Sequence, residues 1–237
     1  MDSVNFLIMH CEMNSNFLGK LILCGICCVP FNAIADSSIK DEPVWQSLYQ
    51  ENFEQIEQGR LPDDFFVLEG NFYVTTKDGR KCLALSPYPV NEHGFLFGPR
   101  IKNETIELSF TCMGGSKSRR YNVFEGAVGG IRGIKFRVNP ATQEALISCR
   151  DDWTQSFPMS WSSKEWMRVV FSTEWKLDKK QSSIKIKISR ESDPSVSVLF
   201  QDLLIEERVP GGKCGFWGFS YAEVEMYWDD IQIRVKK

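Results

Sequence analysis

Apolar and polar residues alternate with a period of two along most of the chain beyond residue 48. The clearest case is Ser183 to Ser189, where Ile184, Ile186 and Ile188 interleave with Lys185 and Lys187. Glu104 to Cys112 repeats the pattern, with Ile106, Leu108 and Phe110 set against Glu107, Ser109 and Thr111. Such alternation predicts strands with one buried and one wet face. Shorter strand signals fall at Tyr49 to Glu54, Phe65 to Leu68, Asn71 to Thr76, Cys82 to Leu85 and Phe95 to Phe97. Others fall at Ile134 to Val138, Glu144 to Cys149, Trp166 to Ser172, Val196 to Phe200 and Leu203 to Ile205. Turn chemistry separates them. Asp78-Gly79 supplies the positive φ of a tight hairpin, Asn139-Pro140 and Gly59 to Asp64 read as turns, and Lys176 to Lys180 and Gly114 to Arg120 read as polar loops. No stretch after residue 35 carries a convincing helical period, so the fold class is all-β, a two-sheet antiparallel jelly-roll sandwich.

The segment the rest is built around is Gly211 to Val235, which reads as the closing edge of that sandwich. Ile231, Ile233 and Val235 share a parity with Tyr227, while Gln232 and Arg234 take the other. Asp229 falls on the apolar parity, and a carboxylate buried there needs a partner. We expect Asp229 or Asp230 to help hold a structural calcium ion with backbone oxygens and Glu54, because calcium takes several hard oxygen ligands. The alternative is that Asp229 accepts backbone N–H groups at a turn.

The first 35 residues differ in character from the rest. Leu21 to Ile34 is largely apolar, follows Lys20 and ends in Ala33-Ile34-Ala35, the pattern of a secretory signal peptide. The run is shorter than the roughly 20 residues a helix needs to cross a bilayer. The mature chain is therefore expected to start at Asp36, whether translation begins at Met1 or Met13, and to be secreted or periplasmic. A lipid anchor at Cys24, Cys27 or Cys28 is the competing reading. Residues 36–47 read as a polar tether and 48–237 as one domain, a size common for a single sandwich.

The full chain of 237 residues has a formal net charge of −3, and losing Asp2, Glu12 and Lys20 with the signal leaves it near neutral. That balance argues against nucleic acid and against a polybasic membrane surface. Of the eight cysteines, Cys82, Cys112, Cys149 and Cys214 stay in the mature chain, an even set that permits two disulfides in any of three connectivities. Buried thiols are the equal alternative.

Three stretches together, FWGFSYAEVEMYWDDIQIRV at the end, KEWMRVVFS in the middle and FEQIEQGRLPDDFFVLEGNFYV at the start, resemble concanavalin A-like lectin and glucanase jelly rolls. Within that group the chain is similar to exported bacterial domains related to the 3-keto-disaccharide hydrolase family. SRRYNVFEGAVGG and PATQEALISCRDDW resemble a largely uncharacterised subgroup. The likeness runs from Tyr49 to Val235. It implies that the opening Phe-Glu strand pairs near the closing Asp-Asp-Ile strand, with a Trp-bearing strand, that of Trp166, between. It identifies fold better than activity.

The chemistry is sparse. His93 is the one histidine left after signal removal, expected in a Pro/Gly-rich loop, so a multi-histidine zinc site is excluded. The sequence beyond residue 35 has no HExxH, P-loop or paired CxxC motif, and Gly126, Gly129, Gly130 and Gly133 fit close backbone packing better than a dinucleotide fingerprint. Glycoside hydrolysis needs two flanking carboxylates, for which Glu104 and Glu107, Asp151 and Asp152, or Glu223 and Glu225 are the available pairs. Sugar recognition needs aromatic faces and planar charged groups. Arg119, Arg120, Tyr121, Trp153, Trp161 and Trp217 are the candidates, with Arg119 to Tyr121, Trp153 and Trp161 expected on one surface. Trp166 and Trp228 belong to packing. The favoured function is an exported, non-catalytic module whose partner is a carbohydrate or cell-surface glycan. A glycoside-acting hydrolase is second and a structural surface module third.

Overall fold

The computed structural model describes residues 44–237, apart from 88–90, 103–104, 151–152, 196, 207 and 221–222. The signal segment and most of the tether lie outside the described residues. In chain order the strands are β1 (Trp45–Glu51), β2 (Phe66–Glu69), β3 (Phe72–Lys77), β4 (Arg80–Leu85), β5 (Glu92–Ile101), β6 (Thr105–Met113), β7 (Ser116–Lys117), β8 (Arg120–Tyr121) and β9 (Val123–Val128). There follow β10 (Ile134–Asn139), β11 (Glu144–Cys149), β12 (Trp153–Pro158), β13 (Met167–Lys176), β14 (Gln181–Arg190), β15 (Ser197–Ile205), β16 (Gly212–Phe219) and β17 (Met226–Lys236). Strand β1 begins inside the stretch expected to be tether and pairs with β17 from Trp45↔Lys236 to Glu51↔Ile231. Among the described residues no helix is long and apolar enough to cross a membrane.

Two antiparallel sheets face each other across the core. One has the order β15-β14-β13-β6-β17-β4-β3, with β1 also on β17, and the other β12-β11-β10-β9-β16-β5-β2. The closing segment is central rather than an edge: β16 lies between β9 and β5, and β17 between β6 and β4. The burial of β16 explains this, since every residue from Cys214 to Phe219 is buried whichever face it takes. Phe216 meets Trp228 of the opposite sheet with ring centroids 6.2 Å apart and stacked. Phe110 and Phe95 close on the same Phe216 ring at 4.4 and 5.7 Å. Aromatic contacts of this kind are worth on the order of 1 kcal/mol beyond the area they bury.

The parity of β17 differs from the simple alternation of its sequence. A bulge between Asp229 and Gln232 interrupts the pairing with β6, and Asp230 takes φ 48°. One inserted residue reverses every later side chain. Met226 and Trp228 therefore join Ile231, Ile233 and Val235 in the core, while Tyr227 and Asp229 face the outer side of the sheet. Tyr227 belongs there to a second apolar group with Cys82, Ala84, Met113 and Trp166.

All four cysteines of the domain are buried, and none is in a disulfide. Cys82 faces the outer group while Cys112, Cys149 and Cys214 belong to the inner core, and no two are register partners. Burial drives the Cys82 and Cys214 thiols up to about 12, which leaves them unreactive. His93 is not in a loop: it lies in β5 and is 3 % exposed.

Candidate functional site

The outer face of the first sheet carries a cleft where three loops meet. Its floor is set by strand alternation: Phe72 and Val74 of β3 point into the core, so Tyr73 and Lys77 point out, and the bulge brings Tyr227 beside them. The β3–β4 turn is the two-residue Asp78-Gly79 hairpin expected from the sequence, with φ values of 51° and 82°. It leaves the Asp78 carboxylate free to accept from Trp166 Nε1 at 3.1 Å.

The rim is held by short polar contacts. Residues 114–121 fold into the small β7–β8 hairpin, and Asn122, 1 % exposed, donates through Nδ2 to the carbonyls of Val224 (3.0 Å) and Glu225 (3.2 Å). A side chain at Gly115 would meet Val224 at 2.3 Å, so the two loops sit backbone to side chain. Lys164, in the loop before β13, donates its backbone N–H to the Gly114 carbonyl at 2.9 Å.

The enclosed volume is about 500 Å³, bounded by Lys77, Asp78, Met113, Lys164, Glu225 and Tyr227 among others. That is within the range of small-ligand sites, roughly 300–1,000 Å³. At its centre both oxygens of Glu225 accept phenol hydroxyls, one from Tyr73 and one from Tyr227. Burial, then hydrogen bonding to Glu225, raises the Tyr73 phenol to about 12 and the Tyr227 phenol further. Both therefore stay protonated donors, and the carboxylate keeps lone pairs for a further hydroxyl. Lys77 Nζ lies 5.6 Å from the Tyr227 ring centroid. Glu223, on the rim, pairs with Lys117 (2.9 Å) and Arg120 (3.4 Å), and the Lys117 hydrogen bond chiefly holds its carboxyl below the usual range.

Each of the three side chains expected to hold calcium has a partner within the chain. Among the described residues no group of three or more His, Cys, Asp or Glu side chains could hold a metal ion. The Glu54 carboxylate accepts the Lys81 backbone N–H at 3.3 Å, and Asp230 pairs with Arg168 at 3.5 Å. Asp229, 5 % exposed, has Arg80 at 3.7 Å and accepts the Asp230 N–H at 2.7 Å. Arg80 is held in turn by Glu191, at 3.1 and 2.7 Å, and lies 4.5 Å from the Trp166 ring centroid. Burial pushes the Asp229 carboxyl up to about 7, against the opposing pull of the Asp230 N–H and Arg80.

The residues expected to recognise sugar are distributed over several places. Arg119, Arg120 and Tyr121 belong to the hairpin at the cleft rim, and Arg120 reaches the cleft through Glu223. Trp161 is half-buried against Phe124, with centroids 5.6 Å apart, and borders a separate groove with Met167 and Arg190. Trp217 lies on the outer face of the second sheet, 5 % exposed, with Lys135 Nζ 4.8 Å from its ring centroid. Lys135 and Arg137 there clamp Glu125 at 3.1 and 2.5 Å, so little of the indole face is open. The Trp153 backbone is in β12 and its side chain lies outside the described residues. Of the carboxylate pairs, Glu223 and Glu225 share the cleft, Glu107 is engaged by Arg234, and Glu104, Asp151 and Asp152 lie outside the described residues. Sequence reasoning missed Tyr73, Lys77, Asn122 and Lys164. The alternation of Tyr73 and Lys77 against Phe72 and Val74 was the available signal for the first two.

No family model matches the chain, and no curated protein matches it. Solved structures do. The winged bean acidic lectin complexed with methyl-α-D-galactose superposes with a TM-score of 0.55 at 10% identity, covering 82% of this chain and 99% of the lectin. Lectin II from Ulex europaeus gives 0.54 at 14% identity, covering 81% and 100%. The CBM2 module of the Lactobacillus casei BL23 phage J-1 evolved Dit gives 0.55 at 11% identity, covering 82% and 97%. The fold is thus the concanavalin A-like jelly roll of the legume-type lectins.

Proposed function

We propose that this chain is a carbohydrate-recognition module, exported by its N-terminal signal, that takes a sugar in the cleft lined by Glu225 and Tyr227. The observation carrying the reading is the Glu225 carboxylate, fixed between two phenols at the centre of a loop-rimmed cleft of about 500 Å³. It combines what a pyranose needs: aromatic and methionine surface for its apolar side, and preorganised charged acceptors and donors for its hydroxyls. Preorganisation matters because ordering side chains on binding subtracts from affinity. The lectin fold adds support, and galactosides head the panel to be tried.

Titrating the protein against a glycan panel tests this, with Glu225→Gln and Lys77→Ala beside the wild type and melting temperatures recorded for each. We expect Glu225→Gln to weaken binding about tenfold or more, the value of one charge-assisted hydrogen bond, at little change in stability. A wild type that binds no glycan, or variants that bind as well as it does, would sink the reading.

Glycoside cleavage, suggested by the resemblance to the 3-keto-disaccharide hydrolases, is the second reading. What favours it is that Asp78, Glu223 and Glu225 line one cleft. Each of the three is already engaged, Asp78 by Trp166, Glu223 by Lys117 and Arg120, and Glu225 by the two tyrosines. Release of sugar products from the same panel would reverse the preference.

A further inference from the structure

Lys164 lines a second depression beside the cleft. The Trp166 ring, 6.4 Å from that of Tyr227, borders this depression of about 450 Å³ lined by Arg80, Lys164, Glu165, Trp166, Glu191 and Ser192. Lys164 lines both depressions, and the indole standing between them is fixed from three sides by Asp78, Arg80 and Tyr227. A ligand one sugar long would use the first depression alone, whereas a chain of sugars has room to cross the junction.

The charges around that junction are nearly all committed. Arg80 is held by Glu191 and Asp229, Glu165 pairs with Arg190 at 3.3 Å, and Lys77 has Asp78 at 3.9 Å. Glu223 is held by two cations. Among the described residues no carboxylate pairs with Lys164. Its backbone is nevertheless fixed, with φ 68° and its N–H on Gly114, so the exposed ammonium springs from a defined point between the two depressions.

Resting on the carbohydrate-recognition reading, we propose that the two depressions form one groove for an acidic oligosaccharide of two or more residues. The Lys164 ammonium pairs at the junction with an anionic substituent of the sugar, a carboxylate or a sulfate. Trp166 separates the two subsites, and the committed ion pairs hold its walls before ligand arrives.

The test is calorimetric titration with three series of one to six residues: galacturonides, sulfated galactans and neutral galactans. Wild type is expected to prefer one anionic series over the neutral one by about fivefold, the scale of a surface ion pair, and to bind two or more residues tighter than one. The anionic series that gains identifies the substituent. Lys164→Gln should erase the charge preference, so that anionic and neutral series bind this variant equally. Ser192→Trp, an exposed change confined to the second depression, should erase the gain with length and keep binding of single residues. Unchanged melting temperatures would show both variants folded. Neutral sugars bound as tightly as anionic ones, or a charge preference kept by Lys164→Gln, would overturn the proposal while leaving recognition in the first cleft standing. A length gain kept by Ser192→Trp would do the same. Failure of every series to bind would overturn both.

Discussion

Asp229 shows at the residue scale how a buried acid finds partners within its own chain. An acid beside apolar positions signals a cost, and in the structure Arg80 and the Asp230 N–H lie against it. Desolvation still dominates, lifting the carboxyl from its ordinary 3.8 to about 7. The folded protein thus holds this proton to a higher pH than the unfolded chain does. The stability this confers is complete below pH ~4 and is lost as pH rises through about 7. A tenfold difference in proton affinity between the folded and unfolded chain corresponds to about 1.4 kcal/mol, so the change is on the order of a few kcal/mol. Asn at 229 would keep the acceptor for the Asp230 N–H without the charge. Thermal melts between about pH 4.5 and 8.5 should show the wild type losing stability relative to Asp229→Asn as pH rises. Parallel curves would mean that Arg80 holds Asp229 ionised throughout.

Turns and bulges decide at the element scale which face a side chain takes. The Asp78-Gly79 hairpin was legible because only certain residues accept its backbone angles, and Gly79 has open space around the position a Cβ would occupy. Gly129 also has positive φ, 90°, but a Cβ there would meet the Pro210 carbonyl at 2.5 Å. The two should therefore respond differently to alanine. Gly79→Ala should cost about 1 kcal/mol, the backbone penalty alone, and Gly129→Ala about 3 kcal/mol or more through added overpacking, as urea denaturation would measure. Equal costs would mean that the Gly129 neighbours yield freely. The bulge at Asp230 gave no comparable warning, since neither Asp229 nor Asp230 is a glycine and the apolar residues on both sides of it still alternate.

For the whole molecule, the stretch from Gly212 to the end supplies central strands of both sheets, and the shared core of Phe216, Trp228, Phe110 and Phe95 joins them. At the join of opening and close, Glu54, Asp229 and Asp230 are engaged by Lys81, Arg80 and Arg168. Excess chelator is accordingly expected to leave the melting temperature unchanged, and added calcium not to raise it. A shift of several degrees with either would restore the structural ion.

Sequence by itself determined the all-β class and most of the strands, though not β9, β12 or the β7–β8 hairpin, because period-2 alternation and turn residues are local properties of the chain. The Ile184 to Ile188 strand and the Asp78-Gly79 turn need no distant partner to be recognised. It also singled out Glu223 with Glu225, and Arg120, though not as parts of one cleft. Only the tertiary structure decided that Tyr73 and Tyr227, 154 positions apart in the chain, grip one carboxylate. It alone set Trp161 beside a separate groove, placed Trp217 on the outer face of the second sheet and buried the four thiols without a disulfide. Those outcomes depend on which strands become neighbours and on a single-residue bulge that reverses a face, and neither is written in the period of any one strand.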